Sequence, residues 1–289
     1  MSEIKDFNCT YDNSAGIHAD VTKELGLTFP DAYMHGDTMV VLSKALRGHN
    51  GAAFCELPFC HTVEAEAMGG IINYGNEKAG PRAKEYICTS VEELLELPEI
   101  DFTTGRIQEV LKACEILRGQ NEQTVLQVSG PFTILNVLID AKHVFKAMRK
   151  KPELMKEVFW KLGKEVLRFM EEAKKRGVGL LSYADSPGGV NILGPKMAEQ
   201  IVEDFTYPFL KKAELLADGD TMVLLCPKTV FALLGTGKAE LREIELQEPL
   251  PYGEACIRMK GRAKLAGQMC IKNVGYCLEN RIFKEVVLR

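Results

Sequence analysis

Cysteine is the residue type that could do chemistry here. The chain carries nine cysteines against five histidines, and no histidine lies beyond His143. In the half without histidine, Cys226 follows the apolar run Met222–Leu225, and Cys270 falls in Lys264–Ile271. Glu245 stands near the end of the alternating run Leu241–Leu246. Thiolates and a carboxylate brought to one point suit zinc, which takes sulfur and oxygen ligands tetrahedrally. A zinc with one open position lowers the pKa of a bound substrate thiol, which then attacks as thiolate. Ligands on separate strands leave no Cys-x-x-Cys signature, and unpaired cysteine is often buried as a small apolar side chain. Both readings stay open on spacing alone.

The elements that must position these groups alternate along the chain. Residues 52–59, 125–130, 179–185, 222–226, 241–246 and 264–271 read as strands. Residues 222–225 are wholly apolar, as a strand covered on both faces should be. Residues 152–176 read as an amphipathic helix opened by Pro152 and closed by a basic end before Gly177. Residues 197–217 read as a second helix, bent near Pro208. Residues 70–89 read as a hairpin inserted in the wall. Strands alternating with helices imply a parallel sheet, and the length of 289 residues suits a TIM-type (β/α)8 barrel. Gly235-Thr236-Gly237-Lys238 lacks the spacing of a phosphate-binding loop and reads as a turn.

Composition narrows the function classes. With 36 Lys and Arg against 40 Asp and Glu, neither half is strongly basic, which argues against a nucleic-acid binder. No apolar run approaches the ~20 residues that span a membrane. The first residues, MSEIKDFNCT, are polar, so no secretory leader is expected. An odd number of cysteines then points to reduced thiols in a cytoplasm, where the Asn8-Cys9-Thr10 sequon has no meaning.

In a β/α barrel the reacting groups stand at the C-terminal ends of the strands. Those ends carry Cys60, His61 and Thr62; then Ser129 and Gly130; then Tyr183, Asp185 and Ser186; then Cys226, Glu245 and Cys270. Asp185, Cys60 and His61 are the catalytic candidates. Tyr183, Ser186 and Gly130 are the cofactor-binding candidates, Tyr183 as a ring to flank a flat ligand. Asp185 also suits a turn cap. Glu64 and Glu66 read as acids favoured at a helix start. Cys55, Cys88 and Cys114 read as packing, Cys9 as exposed, and Cys256 has no functional argument.

The run Phe59-Cys60-His61-Thr62-Val63-Glu64-Ala65-Glu66-Ala67-Met68-Gly69 resembles the TVEAEA segment of the uroporphyrinogen decarboxylase superfamily. Within it, the chain resembles the methylcobamide:thiol methyltransferases, which pass a methyl group from a corrinoid protein to coenzyme M. Thr28–Ala32, Ser129–Thr133, Asp185–Gly189 and Val223–Cys226 resemble further segments of that branch, in the same order.

The resemblance implies a TIM-type barrel, a corrinoid protein and a small thiol as partners, and a methylated cobamide as donor. It also implies a zinc held by Cys226, Glu245 and either Cys270 or Cys277. The position of the family's metal histidine is Leu224, so the set would lack it or borrow His61 across the mouth. The barrel is expected to be shortened at both ends, and a homodimer is a further expectation. Decarboxylation is the alternative within the fold. It is disfavoured because Cys60 stands where the decarboxylases carry an essential aspartate, and because Arg47 and Arg82 read as surface residues. A non-catalytic tetrapyrrole- or corrinoid-binding protein is the alternative outside enzymes.

Overall fold

The computed structural model describes Phe7, Cys9 and residues 16–289. The strands among them are β1 (Cys55–Leu57), β2 (Ile71–Asn73), β3 (Arg82–Glu85), β4 (Thr124–Ser129), β5 (Leu180–Ala184), β6 (Met222–Leu225), β7 (Ala239–Glu245), β8 (Leu265–Ala266) and β9 (Ile282–Leu288). The pair β2 and β3 forms a separate antiparallel ribbon, and the others form one sheet in the order β1-β4-β5-β6-β8-β9-β7.

Strands β1, β4, β5, β6 and β8 run parallel. β4 and β6 are buried at every residue, which is why β6 is wholly apolar and β4 carries no charge. The helix Pro152–Lys175 covers part of this sheet. It buries Met155, Phe159, Leu162, Val166, Phe169 and Ala173, spaced three or four apart on one stripe. Pro152 sits in its first turn, and Gly177, at φ 81°, lets the chain turn back toward β5. From this helix an aromatic stack runs inward. Phe159 meets Phe205 at 5.7 Å, Phe205 meets Phe209 at 5.2 Å, and Phe209 meets Tyr183 on β5 at 5.1 Å.

The second long helix is interrupted rather than bent. A π-helical turn, Val202–Thr206, separates Pro195–Ile201 from Tyr207–Ala213. Proline at 208 cannot donate to the preceding turn, and a wider turn accommodates the missing bond.

The sheet departs from a closed barrel among the described residues: β1 and β7 are its two edges. A barrel would place the strand after β6 between β6 and β8. Here β6 pairs directly with β8, Val223 with Leu265 and Leu224 with Ala266. β7 lies outermost, antiparallel to β9. Its residues from Glu240 to Glu243 are exposed. A strand of alternating charges cannot be buried on both faces. It is instead held to β9 by ion pairs, among them Arg242 with Glu285 and Lys284 with Glu243.

Candidate active site at the strand ends

The parallel strands deliver their C-terminal ends to one mouth. Two pockets open there and share His61, Ala184 and Ser186. The outer one, about 770 Å³, is bounded by Thr62, Arg82, Thr133 and Asn136. The inner one, about 490 Å³, is bounded by Gln127, Tyr183, Leu224, Cys226, Cys270 and Lys272, with Cys9 at its edge.

Cys226 ends β6 and caps the helix Pro227–Gly235. Burial pushes its thiol up to about 12, against the pull of the Lys228 and Thr229 amides on the sulfur, and Cys270 and Cys9 push it further. Burial also raises the Cys270 thiol, opposed by the Lys272 amide and ammonium. Both thiols are therefore protonated at neutral pH. Lys272 pairs with Glu56 at 3.1 Å. Burial and the charge of Lys272 hold the His61 imidazole down to about 3, so the ring stays neutral. Its Nδ1 and the Nε2 of Gln127 are buried without a hydrogen-bond partner among the described residues.

The other candidates serve the walls. Asp185 is buried and turned toward the helix Pro131–Leu138, where it accepts the Thr133 amide at 2.9 Å and the Thr133 hydroxyl at 3.1 Å. Burial raises its carboxyl to about 6, against those hydrogen bonds. Gly130 lies against it: a Cβ there would come within 2.4 Å of the Asp185 side chain. Tyr183 lines the inner pocket and Ser186 lines both.

Cys60 is buried and lines neither pocket. Arg106 donates to its Sγ at 3.0 Å and to Thr62 Oγ1 at 2.7 Å. The Nε of Arg106 donates to Glu66 Oε2 at 2.7 Å, and Tyr74 donates to Glu66 Oε1 at 2.8 Å. Glu64 is buried and accepts the amide and hydroxyl of Ser129 at 2.6 and 2.9 Å. The two glutamates thus do more than suit a helix start: one ties the segment to β4, the other to Arg106.

The expected zinc set is not brought together. Glu245 is 70% exposed at the outer edge of the sheet and pairs with Arg281 at 3.4 Å. Its strand is an edge strand, so the carboxylate never reaches the mouth. Cys277 bridges to Pro251 and lies beside Glu279, outside both pockets. Cys226 and Cys270 do share the inner pocket. Among the described residues, however, no group of three or more His, Cys, Asp or Glu side chains is gathered to hold a metal ion. The donor set as placed does not fit zinc. Cys55, Cys88, Cys114 and Cys256 are buried.

Sequence reasoning missed Gln127 and Arg106. Gln127 had a signal, as the one amide inside the buried run of β4. Arg106 had none, since an arginine on an amphipathic helix reads as surface.

Residues 17–232 match the uroporphyrinogen decarboxylase (URO-D) family, and the chain belongs to that family. It is 23% identical over 256 residues to the methylcobamide:CoM methyltransferase MtaA of Methanosarcina barkeri, covering 86% of this chain and 74% of that protein. A methylcobamide:CoM methyltransferase MtbA of Methanosarcina mazei is 31% identical over 114 residues, covering 38% of this chain and 33% of that protein. Among solved structures, a methyltransferase from Methanosarcina mazei shares the fold with a TM-score of 0.60 at 22% identity, over 78% of this chain and 67% of that one. No helix among the described residues is long and apolar enough to cross a membrane.

Proposed function

We propose that this protein is a corrinoid-linked methyltransferase of the cytoplasm, which moves a methyl group from a methylated cobamide to a small thiol at the shared mouth. The carrying observation is the pair Cys226 and Cys270, which come after the neighbouring strands β6 and β8, in a pocket that widens outward. The relatives' names support the donor and the reaction class. The cobamide, presented by a partner corrinoid protein, supplies an electrophilic methyl group. The chain's own part is to admit the acceptor thiol between Cys226, Cys270 and His61, and to offer the outer pocket to the ring. Ser186 lines both spaces, and Tyr183 lines the inner one.

Zinc activation of the acceptor would need ligands beyond Cys226 and Cys270, and among the described residues no third His, Cys, Asp or Glu is gathered with them. Tetrapyrrole decarboxylation has less support. A polycarboxylate needs several cations, and Arg82 is the arginine that reaches the outer pocket.

The test is incubation with methylcobalamin and a panel of small thiols, followed by the absorbance change of demethylation. Turnover that falls at least tenfold in Cys226→Ser supports the reading. An unchanged rate in both Cys226→Ser and Cys270→Ser places the reaction elsewhere. No turnover with any thiol, with the corrinoid partner supplied, ends it.

A further inference from the structure

Apart from the mouth, a cleft of about 500 Å³ opens between two segments remote in sequence. One wall is the helix Ala141–Lys150, and the other is residues 89–92. The walls are tied together on either side of the helix. Just before it, the Ile87 and Cys88 amides donate to the Leu138 carbonyl at 3.1 Å each, and Cys88 bridges to Ile139. Just after it, Lys151 pairs with Glu92.

The charges in this cleft do not balance. His143, Lys146 and Lys150, spaced three and four apart, fall on one stripe of the helix and line the hollow. Among the described residues that line it, Glu92 is the one carboxylate, and Lys151 holds it. Glu93, next in the chain, accepts the Thr89 amide and hydroxyl at 2.8 and 2.9 Å and the Ser90 hydroxyl at 3.1 Å. Asp140, ahead of the helix, is held by Lys142 at 2.9 Å. No carboxylate among the described residues pairs with Lys146 or Lys150. Two ammoniums at i and i+4 repel each other. The last turn of a helix favours cations, which accounts for Lys150 but not for Lys146 or for the hollow they share.

We propose that this cleft binds the phosphate group of a small phosphorylated molecule. Two ammoniums without a counter-charge match a dianion, whereas a carboxylate would neutralise only one of them. Lysine meets phosphate as a point charge and needs no fixed geometry. His143, one helical turn from Lys146, adds a ring donor. The cleft has the size of a small-molecule site rather than of a lone ion. Val91 and Ala147, both buried, give it an apolar floor that suits the carbon part of the ligand. None of these residues lines the strand-end pockets, so the site does not depend on the methyl-transfer reading.

The probes are inorganic phosphate, phenyl phosphate and acetate, each at matched ionic strength so that screening is equal. Binding is read from the ring resonances of His143, one of five histidines, in labelled protein. Phosphate is expected to shift them saturably, with a dissociation constant of about 1 mM, and acetate to bind about tenfold more weakly or worse. Phenyl phosphate is expected to bind severalfold tighter than phosphate, through the apolar floor. The double variant Lys146→Gln/Lys150→Gln is expected to lose about tenfold or more in phosphate affinity. Lys196→Gln, at an exposed lysine elsewhere, is expected to leave it unchanged. No saturable shift with phosphate, equal binding of acetate, or full affinity in the double variant overturns the site. So does an equal loss in Lys196→Gln. Phenyl phosphate no tighter than phosphate overturns the organic ligand. If the double variant fails to fold, the preference for phosphate over acetate in the parent protein still decides.

Discussion

The guanidinium of Arg106 donates to the sulfur of Cys60 across 3.0 Å, inside the wall of the pocket. The same group holds Thr62 and Glu66 and stacks over Tyr74 at 5.5 Å. A buried guanidinium with this many partners cannot be replaced by a shorter cation without loss, because lysine lacks the fork. Arg106→Met should cost about 3 kcal/mol of stability, the lower end for breaking a buried pair, since Glu66 keeps some contact with solvent. Arg106→Lys should cost about 1–2 kcal/mol. Urea unfolding measures both. A cost under about 0.5 kcal/mol for Arg106→Met would mean that the network is decorative.

Two groups in the site should shape acid stability in opposite directions. Asp185 has a folded pKa of about 6, above its ordinary 3.8. The folded chain keeps a proton that the unfolded chain releases. That contribution is complete below about pH 4 and is lost as pH rises through 6, over a span of about 3 kcal/mol at most. Asp185→Asn keeps the cap acceptor and removes the titration. Its stability relative to the parent should therefore improve between pH 4 and pH 7. A difference that stays flat across that range would refute the raised carboxyl.

His61 acts the other way. Its folded pKa of about 3 lies below the ordinary 6.5, so the neutral ring stabilises the fold above pH 6.5. That stability drains away as pH falls toward 3. His61→Phe should unfold less readily in acid, relative to its own stability at pH 7, than the parent does. Parallel urea titrations at pH 4, 5.5 and 7 resolve the two effects.

Gly130 is a contact glycine. Any Cβ would meet the Asp185 side chain at 2.4 Å, where real atoms do not approach. Gly130→Ala should cost about 1–3 kcal/mol through overpacking. It should also displace Asp185 from the Thr133 amide. A fully stable alanine variant would show that the two strand ends have room to part.

The edge position of Glu245 makes a sharp contrast with Cys226. Glu245→Ala removes an exposed carboxylate paired with Arg281, worth about 0–1 kcal/mol. Methyl-transfer activity should be unchanged, while Cys226→Ser should lose it. Chelator treatment should leave the melting temperature of the parent protein where it was, since no fold contact among the described residues runs through a metal cluster. A large drop in melting temperature would require ligands drawn together beyond the present arrangement.

Much of the framework was readable from local pattern. The apolar runs at β4, β5 and β6 and the stripe of the helix Pro152–Lys175 are one-dimensional signals, set by burial on both faces or on one. With the run at residues 52–59, they put Cys226 and the segment around His61 just past strand ends. The run Leu241–Leu246 also carried the right signal, because its alternating charge belongs to an edge strand. Assigning it to a barrel interior misplaced Glu245.

What the chain determined by itself was which segments are strands and helices and which thiols end strands, since propensity and periodicity act within a few residues. Only the tertiary structure decided which of those ends share a space. β6 pairs with β8 and passes over β7, which puts Cys270 beside Cys226 and leaves Glu245 outside. It also decided which polar groups go unpaired. The partners of Cys60, Thr62 and Glu66 come from Arg106, some forty residues away. Among the described residues, none satisfies Nε2 of Gln127 or Nδ1 of His61. Pairing and its absence depend on distances between segments remote in sequence, and those distances exist only once the strands have packed.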